Sequence, residues 1–327
     1  MRAVQITELS GPDGALSFVE IPEPEPSSTG ADVLVDVHCA GVSFPDVLQT
    51  RGEYQLKPPL PFIPGSEVSG TVRSAPEGSA LNAGDRVAAL CGLGAFAEVA
   101  VAPDFLTFPL SPELDFAQGA ALILNYHTAY FSLALRGRVE EGETVLVHGA
   151  AGGVGTAALQ VARGLGARTI AVVSSDNKQR IAEEAGADHV VRADGQWKDE
   201  AKELSGGGVD VVLDPVGGDR FTDSLRSLRE GGRVVVVGFT GGSIPEVKVN
   251  RLLLNNTAVI GAGWPEYTMS KPDLIREIGI AITRLVDDVI VRPIVGERFP
   301  LERAADALRT IDERRAVGKV VLDVRGD

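Results

Sequence analysis

The chain has 327 residues, 44% hydrophobic and 23% charged, which excludes a disordered chain and suffices for two domains. Thirty-one basic against forty-five acidic residues leave a net charge of −14, so the basic face required for nucleic-acid binding is missing and an anionic membrane surface would repel the protein. An anionic ligand must therefore be captured by local geometry. The two cysteines, Cys39 and Cys91, form neither a CxxC pair nor a disulfide framework. The opening "MRAVQITELSG" lacks an apolar signal core, and no run reaches transmembrane length, so a cytoplasmic location is expected.

In chain order, the first 120 or so residues read as β-rich. "ADVLVDVHCAGV" and "DRVAAL" are valine-rich strands, punctuated by "IPEPEPSSTG", "KPPLPFIPG" and "PEGSALNAGD", a proline content that favours an irregular barrel or sandwich. From about residue 140 strands alternate with helices. "ETVLVHGA" leads into the helical "VGTAALQVARGLG"; "RTIAVVSS" into "DNKQRIAEEAG"; then come "HVVRA", "VDVVLDPVGG", the helical "DRFTDSLRSLREGG", "RVVVVGF" and "TAVIGAG". This alternation predicts right-handed βαβ units and a parallel sheet, an α/β class. The tail adds a helix ("KPDLIREIGIAITRLV"), a strand ("RPIVGERFP"), a second helix ("LERAADALRTIDERRAV") and a last strand ("GKVVLDV").

The turn "GAAGGVG" lies where the alternating region begins. The fingerprint G-x-G-x-x-G assigns its glycines to a tight turn, to close approach of the pyrophosphate and to helix–strand packing. Here Ala150 replaces the first glycine, while Gly152 and Gly155 retain the other two duties, and Gly149 and Gly153 flank them. Strand before and helix after put free N–H groups and a positive dipole end at Gly152, Gly153, Val154 and Gly155, the expected pyrophosphate site. "GLGAFA" at 92–97 satisfies the looser pattern G-x-G-x-x-A but is followed by "EVAVAP", another strand. It reads as an inter-strand loop.

An NAD site places Asp or Glu at the end of the second strand, about twenty residues beyond the glycine loop. This chain has Ser174 and Ser175 there, then Lys178, with Arg192 ending the next strand. Hydroxyls with nearby cations suit a 2′-phosphate, so NADPH is the expected cofactor. Asp176 is read as the N-cap of the following helix. Lys178 and Arg192 taken singly would equally serve as solvated surface charges.

Together, "AGVSFPDVLQTRGEYQLKPPLPFIPGSEVSG", "GDRVAAL", "LNYHTAY" and "VHGAAGGVGTAALQVARGLGA" resemble the medium-chain dehydrogenase/reductase superfamily, and within it the zinc-free quinone oxidoreductase (zeta-crystallin-like) branch, over nearly the whole chain. The resemblance implies a GroES-like catalytic domain from residues 1–122 and 265–327, with a Rossmann doubly wound domain at 123–264 and an active site in the cleft between them. It also implies a homodimer paired through the last Rossmann strand, near "TAVIGAG".

Zinc-dependent members carry a ligand Cys in "AGxCxxD" and a ligand His in "PGHExxG"; this chain has Ser43 and Ser66 at those positions, and Leu124 at the third. Glu67 remains, and a single carboxylate does not make the three protein ligands of a catalytic zinc. Reduction of a simple carbonyl needs a Lewis acid or strong donor, whereas a quinone or enone spreads the charge over its own π-system. A metal-free reductase of quinones or other conjugated acceptors is the expected function. A rival reading keeps fold and cofactor but takes an enoyl thioester such as acryloyl-CoA. A third makes the chain an NADPH-binding structural or regulatory protein.

Matched to the family motifs, Tyr54 of "RGEY" lies near nicotinamide and substrate, where its phenol would donate to the reduced oxygen; the competing reading is a packing tyrosine. Ser43 takes the place of an Asn frequent in the branch, and Asp46 keeps its family position. Thr128 matches a nicotinamide contact, and Asn125, Tyr126 and His127 beside it either line the cleft or pack the junction. His148 reads as a core histidine, and His38 and His189 lie at strand positions whose partners the sequence alone does not reveal. "DPVGG" and "VVGFTGG" follow strands whose carboxyl ends bind ligands in such sheets, which nominates Val216, Gly238 and Phe239. Lys319 in "GKVVL" is a further cofactor candidate, or an ordinary surface lysine.

Overall fold

The computed structural model describes residues 1–26 and 30–325. Part of the "IPEPEPSSTG" punctuation, residues 27–29, lies outside the described residues, as do 326–327. The chain divides into two compact units, one of Met1–Leu124 with Pro293–Asp327 and one of Asn125–Arg292.

The first unit is β-rich, as expected of a GroES-like domain. Its main sheet runs, edge to edge, through Val295–Pro300, Lys319–Asp323, Asp32–Val42, Glu67–Ser74, Arg86–Leu90 and Thr107–Pro109, with Val99–Pro103 also paired to Asp32–Val42. The valines that marked these strands from sequence fill the core, where Val33, Val35, Val37, Val68 and Val87 are fully buried around Phe96. Gly70 permits the close pairing of the two central strands, because a Cβ there would lie 2.0 Å from the Asp36 carbonyl oxygen. The C-terminal strand is antiparallel to Asp32–Val42, pairing Val320 with Val42 and Val321 with Gly41. That register brings Lys319 alongside Ser43.

The second unit holds six parallel strands in the order His189–Arg192, Arg168–Val173, Thr144–His148, Val209–Asp214, Leu228–Val236, Ala258–Gly261. Counted along the chain this is 3-2-1-4-5-6, the doubly wound Rossmann order, with the switch point beside Thr144–His148. "DRFTDSLRSLREGG" begins within a 3₁₀ turn, Gly218–Arg220, and is α-helical only over Phe221–Ser227, and the next strand already begins at Leu228. Ala258–Gly261 is the edge strand, mostly exposed along its length.

The second unit also claims residues 265–292, which sequence reading assigned to the catalytic domain; the crossing falls at Pro293 instead of 265. Helix Pro272–Asp287 buries Ile275, Ile278, Ile282 and Val286, and Leu285 and Ile290 pack at Gly164 on the helix that follows the glycine loop. Gln160 of that same helix accepts from the Arg292 backbone N–H and donates to its carbonyl, each at 2.9 Å. An apolar stripe reveals that a helix must be covered, but it does not identify the covering surface. Among the described residues no helix is long and apolar enough to cross a membrane.

His148 ends the first parallel strand fully buried, with Nε2 2.8 Å from Ser224 Oγ and its ring edge-on to Trp197. Burial pushes its pKa down from 6.5 to about 4. In the window between these values the unfolded chain takes up a proton that the native state refuses. Stability held in full above pH 6.5 is therefore lost as pH falls toward 4, at up to about 1.4 kcal/mol per pH unit. Urea titrations at several pH values should show a shallower slope in His148→Gln than in wild type, and parallel slopes would refute the assignment.

Candidate active site

Gly149 leaves the strand with φ +59°, a conformation that L side chains rarely adopt. Gly152 then caps helix Gly153–Gly164 with extended backbone. At Gly155 a Cβ would lie 2.2 Å from the Gly149 carbonyl oxygen and 2.6 Å from Ala150 Cα, so the turn closes only around glycine. At Gly153 it would lie 2.5 Å from Asn125 Nδ2, because the Asn125 amide packs against the loop. Gly152 differs from both: apart from the Gly149 oxygen at 3.5 Å, nothing lies within 4 Å of that direction. The first-turn amides of Gly153, Val154 and Gly155 have no acceptor within their own helix. An open, positively polarised helix end results, the geometry that receives a pyrophosphate.

Strand Arg168–Val173 ends at exposed Ser174 and half-buried Ser175. The N-cap of the next helix is Ser175, whose Oγ accepts from the Lys178 backbone N–H at 3.3 Å. Asp176, expected to cap, instead occupies the first helical turn. Its nearly fully exposed carboxylate holds Arg192 Nη1 at 2.5 Å, while Arg192 Nη2 donates to the Ser174 carbonyl at 3.0 Å. The ion pair thus draws Arg192 from the neighbouring strand to the two serines, and Lys178 sits one turn away.

At the switch point, Asp214 Oδ1 accepts from both Val216 N and Gly217 N at 2.8 Å, and the Val216 side chain packs at Gly149. The Gly238–Phe239 loop is tied to this turn through Thr240 N to Pro215 O and Gly241 N to Val216 O. Phe239 is 37% exposed. Asn125 and Thr128, three apart on helix Ile123–Tyr130, share a face and are nearly buried. Tyr126 and His127 turn into this unit's core, Tyr126 donating to Gln160 Oε1 at 2.8 Å and His127 packing on Trp264.

A second constellation lies in the first unit. Ser43 caps helix Phe44–Thr50, and its backbone N–H donates to Asp46 Oδ2 at 2.7 Å. Asp46 is fully buried, and burial pushes its carboxyl up to about 7. Lys319 Nζ donates to Ser43 Oγ at 2.6 Å and to Glu67 Oε1 at 2.5 Å. Glu67 Oε2 accepts from the Leu124 backbone N–H at 2.8 Å. The lysine and glutamate side chains are 4% and 1% exposed. Lys319 is thus no ordinary surface lysine, because its buried ammonium donates to two partners inside the domain. Sequence reading missed this role, since the partners lie 276 and 252 residues away.

Of the remaining expected positions, Ser66 Oγ donates to the Gly92 carbonyl at 3.3 Å, and Tyr54 is half-buried in the segment after helix Phe44–Thr50. Burial raises the Cys91 thiol to about 12. His38 stacks on Phe116, and His189 is exposed. "GLGAFA" is an inter-strand loop between Arg86–Leu90 and Val99–Pro103. Among the described residues no group of three or more His, Cys, Asp or Glu could hold a metal ion.

The two fingerprint glycines should respond differently to a methyl group. Gly155→Ala should cost about 2 kcal/mol by forcing backbone apart, outweighing the helix-propensity gain of about 1 kcal/mol. Gly152→Ala, facing open space, should cost less than about 1 kcal/mol. Equal losses in urea unfolding would contradict the loop geometry described above.

Comparison with known proteins agrees with both halves of this architecture. Residues 29–112 match the alcohol dehydrogenase GroES-like domain, and residues 153–278 match the zinc-binding dehydrogenase family. Mouse quinone oxidoreductase-like protein 2 is 38% identical over 99% of this chain and 92% of its own length. The crystal structure of a probable oxidoreductase from Mycobacterium abscessus superposes with a TM-score of 0.90 at 43% identity, covering 99% of each chain. The quinone oxidoreductase of Thermus thermophilus, solved alone and in complex with NADPH, gives a TM-score of 0.84 at 34% identity, over 99% of this chain and 100% of its own. The chain therefore belongs to the quinone oxidoreductases of the medium-chain dehydrogenase/reductase superfamily.

Proposed function

We propose that this protein is an NADPH-dependent, zinc-independent reductase of quinones and other conjugated acceptors. The observation that carries the reading is the donor set at the expected metal position. Ser43, Ser66 and Leu124 supply neither thiolate nor imidazole, and the Glu67 carboxylate already holds the Lys319 ammonium. Zinc fits poorly among such groups, since a cation is already in place and three protein ligands are lacking. Without a Lewis acid, the acceptor must carry developing negative charge on its own conjugated system, helped by hydrogen-bond donors.

The nucleotide residues fit NADPH, which relatives of this chain bind. The N–H groups of Gly153, Val154 and Gly155 would hold the pyrophosphate, and Gly152 leaves the room for its approach. Ser174, Ser175, Lys178 and Arg192 would hold the 2′-phosphate, with Asp176 keeping the guanidinium turned toward Ser174. Asn125, Thr128, Val216, Gly238 and Phe239 would line the nicotinamide end. When bound, NADPH supplies the hydride. Tyr54 and Ser43 are the candidate donors to the reduced oxygen.

Steady-state oxidation of NADPH against quinones, enones and enoyl-CoAs tests this reading. Activity should appear with the first two groups, survive chelators, and favour NADPH over NADH. Arg192→Ala should narrow that preference by about 10-fold, the loss of one charge-assisted hydrogen bond. Tight NADPH binding without oxidation by any acceptor would leave a binding protein instead, and preference for enoyl-CoA would move the substrate to thioesters.

The edge strand Ala258–Gly261 and the exposed Val249, Leu253 and Leu254 that precede it in the chain would contribute apolar surface to the expected homodimer. Sedimentation should give a dimer that Leu254→Glu weakens; a wild-type monomer would remove this part of the proposal.

A further inference from the structure

The buried cation beside Ser43 is not accounted for by cofactor binding or by packing. Lysine carries only donors, so in the 2.6 Å contact Ser43 Oγ must accept from Lys319 Nζ. The serine's own hydrogen is then left to point elsewhere. Ser43 is half-buried, while the Lys319 and Glu67 side chains are sealed from solvent. Charge therefore lies inside the domain and the hydroxyl lies at its boundary. Orientation adds to this. Glu67 is pinned on its far oxygen by Leu124 N–H, so the ion pair presents its positive end to Ser43. Asp46, the other carboxyl nearby, is pushed up to about 7, which reduces the negative charge that would oppose this polarity. Glu67 itself fits only because Gly41 has no side chain, since a Cβ there would lie 2.7 Å from Glu67 Cγ.

We propose that Lys319 is a positioning residue that polarises the Ser43 hydroxyl, making Ser43 Oγ–H the hydrogen-bond donor to the acceptor oxygen on which negative charge develops. The inference rests on the reductase reading above. An ammonium fixed by Glu67 supplies, through one hydroxyl, part of the electrostatic stabilisation that a metal supplies in zinc-dependent members of the superfamily. No group is transferred from Lys319. It acts by lowering the energy of negative charge at the hydrogen-bonded oxygen, an effect that burial strengthens.

The test is a double-mutant cycle on NADPH oxidation with a quinone, with thermal unfolding and the KM for NADPH followed in parallel. Ser43→Ala should lower kcat about 100-fold, as removal of one oxyanion donor does, and leave the KM for NADPH within about twofold. Ser43→Thr, which keeps a hydroxyl, should restore most of the rate. Lys319→Met leaves Glu67 buried and unpaired, which itself endangers folding. Glu67→Gln/Lys319→Met removes both charges together and is the background to use. In that background Ser43→Ala should change kcat by no more than about 10-fold, because the hydroxyl remains a donor but has lost its polarising charge. A 100-fold effect of Ser43→Ala in both backgrounds, or in neither, overturns the proposal while the reductase reading stands. Wild-type protein that oxidises NADPH with no acceptor overturns that reading and this inference together.

Discussion

The arrangement of the first unit depends on one buried ion pair. Lys319 comes from the last strand of the chain and Glu67 from a strand near its beginning, and their side chains meet where water is excluded. Burying either charge alone would cost several kcal/mol, and the attraction between them compensates only when geometry and additional hydrogen bonds are good. Both conditions are met, because Ser43 Oγ accepts a second hydrogen bond from the ammonium and the Leu124 N–H donates to the other carboxylate oxygen. The pair thereby fixes four points of the fold to one another: the C-terminal strand, the start of helix Phe44–Thr50, the strand Glu67–Ser74 and the end of the first segment. A C-terminal strand shifted by one residue would turn the lysine to the other face and leave Glu67 without its counter-ion.

In the second unit the corresponding constraint is steric. Helix Gly153–Gly164 approaches strand Thr144–His148 so closely that Gly155 abuts the Gly149 carbonyl. Close approach sets the helix axis toward the switch point, where its unsatisfied amides meet open space at Gly152. The neighbouring loops are held by their own bonds, Asp214 to two backbone N–H groups and Thr240 and Gly241 to the turn at Pro215–Val216. Such a site is organised before any ligand arrives, which limits the entropy lost on binding. The two units follow one design in different materials: a glycine permits a contact that no other residue would allow, and a polar group uses the space created.

The proposed chemistry rests on the groups that the first unit gathers beside Ser43. A carboxylate, an ammonium and a hydroxyl replace the thiolate and imidazole donors of a metal site, and they leave the hydroxyl nearest to solvent. In the function we propose, the substrate disperses most of its own charge and needs only a directed donor, the role given to that hydroxyl. In the second unit, the Asp176 carboxylate and the Ser174 carbonyl together hold the Arg192 guanidinium beside the two serines proposed for the 2′-phosphate.

Much of this was readable from the residues alone. Hydrophobic periodicity gave the alternating strands and helices of the second unit, and local context singled out "GAAGGVG" over "GLGAFA", since both depend on interactions between near neighbours in the chain. Substitutions at Ser43, Ser66 and Leu124 were legible because each is a statement about one position. Three other features required the tertiary structure. The N-cap falls at Ser175 because backbone direction at the strand end, more than residue type, decides which oxygen meets the helix amides. The chain crosses back at Pro293 because helix Pro272–Asp287 is covered by a surface that its own sequence does not specify. From sequence Lys319 reads as a cofactor candidate or a surface lysine, and only the antiparallel register of its strand with Asp32–Val42 carries it to Ser43 and Glu67. Sequence by itself determined most of the elements and the glycine loop between strand and helix, whose physics is local; folding decided which distant charges became partners, because pairing across some 250 residues is set by strand register and burial.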